Sequence, residues 1–161
     1  MILIETKVNG MNITANIREH SKIAQPQTIS GRDGSFARLK GIGAASGTLD
    51  GENLHVLRVD VDEAYQGRGF GLALLQALLQ KALQHGVSID GTAFLIADEQ
   101  ETAGLQVYYA KMGFEDDPDY GATDHKQQHP MKAKVSVAIT NIQNWRATRY
   151  SRDPAHIVSF S

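Results

Sequence analysis

An α/β fold, with a mixed central sheet flanked by helices, is predicted by three stretches of this 161-residue chain. The first is Leu54–Val61, β-branched and half alternating, which reads as an inner strand. The second is a glycine-rich turn, Tyr65-Gln66-Gly67-Arg68-Gly69-Phe70-Gly71, running into a helix over Leu72–His85. Leu72, Leu75, Leu79, Ala82 and Leu83 recur there at three- and four-residue steps, and Gly86 supplies a natural C-terminal stop. The third is a buried strand at Ala93–Ala97, followed by a helix with Leu105, Tyr108, Tyr109 and Met112 on one face. Asp98 with Glu101 matches a capping box for that helix, and Gly113 closes it. Strand, helix, strand and helix over about 54–114 form a βαβα unit, which implies parallel neighbours joined by a right-handed crossover.

The flanks are plainer. Residues 1–19 read as two strands around Asn9-Gly10, with Ile2, Ile4, Val8, Ile13 and Ile17 apolar. A strand is expected near Phe36–Ile42 and a turn at Asp50-Gly51. Residues 115–130, rich in Asp, Pro, His and Gln, read as a loop. Ala133, Val135, Val137 and Ile139 alternate, which predicts a strand over Lys132–Thr140, with a last one at His156–Phe160.

Composition bounds the function classes. A chain near this length buries roughly 68–70% of its unfolded surface, enough for one domain with a full core. With no cysteine, the chain excludes disulfides, thiolate metal sites and a cysteine acyl-enzyme. Formal net charge is −2, which argues against a general nucleic-acid binder. That average hides a split: residues 1–125 hold 10 basic and 17 acidic side chains, net −7, and residues 126–161 hold 6 and 1, net +5. The N-terminus lacks a signal-peptide pattern, and no window approaches the ~20 apolar residues of a membrane span, so a cytoplasmic protein off the membrane is expected.

The turn at 66–71 carries the chemistry. Its glycines admit positive φ and close approach of a ligand, and it opens straight into a helix N-terminus after a buried strand. Unpaired N–H groups backed by the helix dipole make an anion site, to which Arg68 adds a cation. A Walker A loop is missing, because Leu72 and Ala73 follow Gly71 where Lys and Ser/Thr belong. The dinucleotide fingerprint fails in both frames, its third glycine falling on Leu72 or Leu74.

Gln66-x-x-Gly69-x-Gly71 resembles the acyl-coenzyme A motif, Gln/Arg-x-x-Gly-x-Gly/Ala, of the GNAT superfamily of N-acetyltransferases. Tyr109-Ala110-Lys111-Met112-Gly113-Phe114 is similar to that family's Tyr-x-Lys-x-Gly-Phe, and lies after the next strand as it should. The resemblance spans about Leu54 to Phe114 and implies a splayed sheet whose two parallel strands receive the pantetheine arm of acetyl-CoA. It implies that the backbone of Val59, Asp60 and Val61 pairs with the arm. The N–H groups from Gln66 through Gly67, Arg68, Gly69, Phe70, Gly71 and Leu72 would then hold the pyrophosphate. Tyr109 takes the general-acid role toward the leaving thiolate, and Thr102 stands where the family often has a cofactor-contacting asparagine.

The implied reaction is direct acetyl transfer from acetyl-CoA to an amine in a ternary complex, with no metal and with backbone N–H near Val61 offered to the carbonyl oxygen. Two groups compete as base. His55 stands at two-residue spacing from Leu57, Val59 and Val61, hence on their face, and imidazole suits proton removal near neutrality. Glu99 follows the second strand. The acidic run Asp98–Asp124 reads as a solvated rim or as a mouth for a cationic acceptor. Asp124, His125 and His129 are better read as a polar loop than as metal ligands. The basic segment 126–161 is left without a family role, and a homodimer is compatible with the sequence. The rival readings are a non-catalytic CoA-binding regulatory module and a nucleotide-dependent oxidoreductase.

Overall fold

The computed structural model describes residues 2–19, 41–99, 102–120, 127–150 and 158–160. In chain order these form β1 (Ile2–Asn9), β2 (Asn12–Glu19), β3 (Gly41–Asp50), β4 (Asn53–Val61), a 3-10 turn (Glu63–Tyr65), α1 (Phe70–Gln84) and β5 (Thr92–Asp98). They continue with α2 (Leu105–Lys111), β6 (Glu115–Asp116), β7 (Gln128–Lys134), α3 (Val135–Tyr150) and β8 (Val158–Phe160). One mixed sheet runs in the order β6-β7-β5-β4-β3-β2-β1-β8. β4 and β5 are parallel, as are β1 and β8, and the other neighbours are antiparallel.

The β1–β2 hairpin closes at Asn9↔Asn12, with Gly10 at φ 64° supplying the left-handed turn residue. Ile2, Ile4, Ile13, Ala15 and Ile17 turn their alternate positions into the core. Of the strand expected near Phe36–Ile42, residues 36–40 lie outside the described residues and Gly41 and Ile42 belong to β3; the turn at Asp50-Gly51 is present with Gly51 at φ 60°. α1 lies against β1–β4 and is covered in turn by α3, so Phe70 and every residue from Leu72 to Leu79 are buried. One of these is polar: Gln76 is 5% exposed, and its Oε1 accepts a 2.7 Å hydrogen bond from Arg146 Nη1 on α3.

The expected loop over 115–130 holds β6 and the first residues of β7, because both pair into the sheet, and two further expectations change. The predicted strand over Lys132–Thr140 is a strand only to Lys134; from Val135 the chain is helical. Val135, Ala138 and Ile142 are buried and Ile139 and Trp145 partly so, which is helical spacing, while Val137 points out at 41% exposure. Val135 and Ile139 fit both periods over so short a window, and β-branched residues tilt the reading toward strand. The helix start is supplied by tertiary structure: Val135 N–H donates to Gly91 O (2.9 Å) and Ser136 N–H to Ile89 O (3.1 Å).

The second change is a β-bulge. Ser46 pairs with Arg58 and Gly47 with Val56, leaving Leu57 as the extra residue of β4. Alternation is thereby reset. Leu54 lies beside Leu78 of α1 near Gly47, and Val59 and Val61 lie beside Gly71 at the head of α1. His55 therefore belongs to the opposite face from Val59 and Val61, contrary to the plain two-residue count.

Candidate active site

β4 and β5 pair only at Leu54↔Ala93 and His55↔Phe94. Beyond that point β4 continues to Val61 on its partner β3, and β5 continues to Asp98 on its partner β7. A cleft thus opens between two parallel strands from a closed end at His55–Phe94. Val59, Asp60 and Val61 lie on its β4 edge, past the last β5 pair. Backbone groups on such an edge require a partner, and an extended ligand carrying amides can provide one.

The open end leads into the glycine turn. Asp62 N–H donates to Ile42 O (2.8 Å), and its carboxylate accepts from Ala64 N–H (3.2 Å), starting the 3-10 turn. Gln66 Nε2 donates to Val61 O at 3.0 Å, so this side chain braces the turn against the strand end. Gly67 and Gly69 have φ of 78° and 81°, a region L side chains avoid. α1 opens at Gly69 with no side-chain cap, and its first backward bond is Ala73 N–H to Gly69 O (3.1 Å). The first-turn N–H groups thus precede the helical ladder and face the cleft mouth with the dipole behind them. A Cβ on Gly71 would meet Val59 and Val61 only at 3.8 Å, so alanine fits there too. Arg68 is half-buried, its guanidinium 5.2 Å from the Phe70 ring centre and 5.9 Å from that of Tyr65. Two αL glycines, an uncapped helix and a nearby cation fit a pyrophosphate.

Tyr109 is 9% exposed, its ring edge-on to Tyr108 (5.8 Å) and Phe114 (5.7 Å). Burial pushes its hydroxyl up to about 12, and among the described residues that hydroxyl has no hydrogen-bond partner.

Glu99 has a different occupation. Its Oε2 accepts from Gly104 N–H (3.1 Å) and its Oε1 from Gln106 N–H (3.2 Å), so both carboxylate oxygens cap α2. That helix starts at Leu105, later than the expected box with Asp98 and Glu101; Glu101 lies outside the described residues. Thr102 precedes the helix and is exposed, its N–H donating to Asp98 O at 3.3 Å. Glu99→Gln should lower stability by about 1 kcal/mol through loss of the charged cap. It should leave the pH dependence of turnover unmoved; urea unfolding and a pH–rate profile check the two halves.

His55 sits at the closed end. Its Nε2–H donates to Asp50 Oδ2 (3.0 Å), and its Nδ1 accepts from the Tyr120 hydroxyl (3.1 Å). Asp50 can only accept when ionised, and this fixes the tautomer. The imidazole also stacks on Phe94 (5.0 Å) and Tyr120 (5.5 Å), which stack on each other (4.8 Å). Tyr120 was not among the candidates read from the sequence. It arrives from the loop after β6, turned by Asp117 N–H to Pro130 O (2.8 Å) and Tyr120 N–H to Asp117 O (3.1 Å). No spacing rule links it to His55, 65 residues away.

Two arginines of the basic C-terminal segment, Arg146 and Arg149, are engaged within the fold. Lys111 and Arg149 lie 5.5 and 4.1 Å from the Trp145 ring centre, and Arg146 holds Gln76. Lys126 and Arg152, like Asp124 and His125, fall outside the described residues. Among the described residues no group of three or more His, Asp or Glu could hold a metal, and no helix is long and apolar enough to cross a membrane.

A mixed sheet splayed between two parallel strands, with a glycine turn at the mouth of the split, is a GNAT-like α/β architecture. An acetyltransferase (GNAT) domain model matches residues 33–116, more than half of the chain, and the chain belongs to that family. Over 79 residues it is 38% identical to histone acetyltransferase TAP1 of Glycine max, covering 48% of this chain and 31% of that protein. The same identity and span relate it to the chloroplastic GCN5-related N-acetyltransferase 2 of Arabidopsis thaliana, of which 28% is covered. The match thus spans about a third of the length of these relatives. Among solved structures, the PaiA N-acetyltransferase of Thermoplasma acidophilum in complex with coenzyme A superposes with TM-score 0.52. Its sequence identity is 18%, over 77% of this chain and 61% of that one.

Proposed function

We propose that this protein transfers an acetyl group from acetyl-CoA to a primary amine by direct attack in a ternary complex. The observation that carries this reading is the cleft between β4 and β5, shut at His55–Phe94 and opening onto the uncapped glycine turn. The turn binds the pyrophosphate through its N–H groups and Arg68, and the free edge at Val59–Val61 binds the amides of the pantetheine arm. Acetyl-CoA supplies a thioester, whose carbonyl must be polarised and whose sulfur must leave.

An arm entering at the turn runs back along β4 toward the closed end, about 20 Å over six residues of extended strand. This puts Val61 beside the pyrophosphate. Backbone N–H groups near the Leu57 bulge, rather than Val61, then serve the carbonyl oxygen, since a bulge re-aims groups out of the ladder. Tyr109 donates to the leaving sulfur, and a base at the closed end takes the amine proton. The acidic side chains after β5 favour a cationic acceptor.

The test is calorimetry with acetyl-CoA beside NAD, followed by mass spectrometry of primary amines and lysine peptides after incubation with acetyl-CoA. Acetyl-CoA binding together with a mass increase of one acetyl group is expected. Binding without transfer to any amine leaves the non-catalytic module as the better account, and NAD binding without acetyl-CoA binding removes both.

A further inference from the structure

We propose that Tyr120, His55 and Asp50 form a proton relay in which the Tyr120 oxygen, not the histidine ring, touches the acceptor amine. This rests on the acetyl-transfer reading and says which atoms take the proton. His55 is poorly placed to act directly. Its Nε2–H is given to Asp50 at 3.0 Å and its Nδ1 lone pair is occupied by the Tyr120 hydroxyl at 3.1 Å. Its ring is stacked on Phe94 and Tyr120. Neither nitrogen has a lone pair left for a substrate, because a neutral imidazole has one donor and one acceptor nitrogen.

The phenol oxygen differs. It spends its proton on His55 and keeps lone pairs that accept from an incoming N–H. Tyr120 is half-buried, and burial raises its hydroxyl above the ordinary phenol value, so it is protonated and donates at rest. The cluster also lies where transfer would occur. His55 and Phe94 are the last paired residues of β4 and β5, so they form the closed end that the thioester reaches.

The proton that must leave before attack is held within the three residues, and the second amine proton, lost as the amide forms, goes to the departing sulfur to give the coenzyme A thiol. An N–H bond of the acceptor ammonium breaks and its proton goes to the Tyr120 oxygen. The original Tyr120 proton passes to His55 Nδ1. The resulting imidazolium keeps its Nε2–H on Asp50, whose side chain is 66% exposed. The amine nitrogen is left with the electron pair that attacks the thioester. Asp50 is a positioning residue, because it holds the tautomer that leaves Nδ1 open to Tyr120.

A relay for deprotonation matters only when the acceptor arrives protonated, and this separates it from a packing role. The 161-residue chain and its Tyr120→Phe variant are compared with acceptors that are ammonium ions at neutral pH (putrescine, spermidine and Nα-acetyl-lysine) and with hydroxylamine, which is uncharged there. Thiol release measures transfer, and calorimetry measures acetyl-CoA binding. The phenyl ring keeps the stack on Phe94, so acetyl-CoA should bind the variant as it binds the parent. kcat/KM should fall about 100-fold with the best ammonium acceptor and less than about threefold with hydroxylamine, the first figure being typical of a lost acid–base group. Equal losses on both acceptor types, or none on either, overturn the relay while leaving acetyl transfer intact. A parent chain that binds no acetyl-CoA, or acetylates none of the ammonium acceptors, overturns the transfer reading and the relay with it.

Discussion

Gly91→Ala is expected to cost about 3–5 kcal/mol of folding stability, the range of severe core or backbone disruption. A Cβ at this position would lie 1.9 Å from Glu52 O and 2.9 Å from Ser88 O, both backbone atoms that no rotamer change can move aside. The glycine stands at a crossing of hydrogen bonds. Its N–H donates to Ser88 O (2.9 Å), its carbonyl receives Val135 N–H (2.9 Å), and Ser88 N–H donates to Glu52 O (3.2 Å). Next to it, Thr92 N–H donates to Asn53 Oδ1 (2.9 Å). Making room for one methyl group therefore separates the start of β5 from β4, removes the tertiary cap of α3, or both. With about 2–4 °C per kcal/mol for a domain of this size, melting should drop by roughly 10 °C. Gly41→Ala is the control, because among the described residues a Cβ there meets nothing within 4 Å and φ is not positive. Thermal and urea unfolding of both variants decide the matter, and a Gly91→Ala chain within about 1 kcal/mol of the parent refutes the packing argument.

The same junction shows how much of the molecule was legible in the sequence. α1 and β5 were recognisable because each satisfies one local period, two residues for the strand and three and four for the helix, and β4 because it is a β-branched apolar run between turn residues. The glycine turn was legible for the same reason, since Gly67 and Gly69 adopt the positive φ their lack of a side chain permits. What stayed hidden depends on partners distant in the chain. α3 starts where carbonyls of Ile89 and Gly91 satisfy its first N–H groups, so nothing between Lys132 and Ile139 announces a helix. The Leu57 bulge lies opposite Ser46 and Gly47 of β3, and a Cβ on Gly47 would lie 2.9 Å from His55 O and 3.1 Å from Leu54. That bulge reverses the face on which His55 stands. Glu99 was singled out as a carboxylate near the cleft, and its two hydrogen bonds to the α2 N-terminus became visible only with the helix start in place. Tyr120 reaches His55 through a loop turn, and loop turns carry no register.

Tyr109→Phe should lower kcat about 100-fold, with little change in the KM for acetyl-CoA or in stability at neutral pH. Burial raises the hydroxyl to about 12 and so keeps it protonated at any working pH. A thiol titrates near 8.5, so full proton transfer from Tyr109 to a free thiolate runs uphill by about 3.5 pKa units, or about 5 kcal/mol. Tyr109 therefore works chiefly as a hydrogen-bond donor to the sulfur while negative charge develops there. Losing that donor removes stabilisation present in the transition state and absent from the bound substrate, which lowers kcat rather than raising KM. Phenylalanine keeps the edge-on contacts with Tyr108 and Phe114, and the lost hydroxyl had no partner among the described residues. A stability measurement supplies an independent check. The folded-state value lies above the unfolded value of about 10, so the parent's contribution is fully present below about pH 10. It is lost as pH rises toward 12, by about 2 kcal/mol at that limit. The Phe variant lacks this component, so its stability should fall less between about pH 9 and 12. Equal alkaline slopes would show that Tyr109 is not the buried phenol inferred here, and an unchanged kcat would remove it from the transfer step.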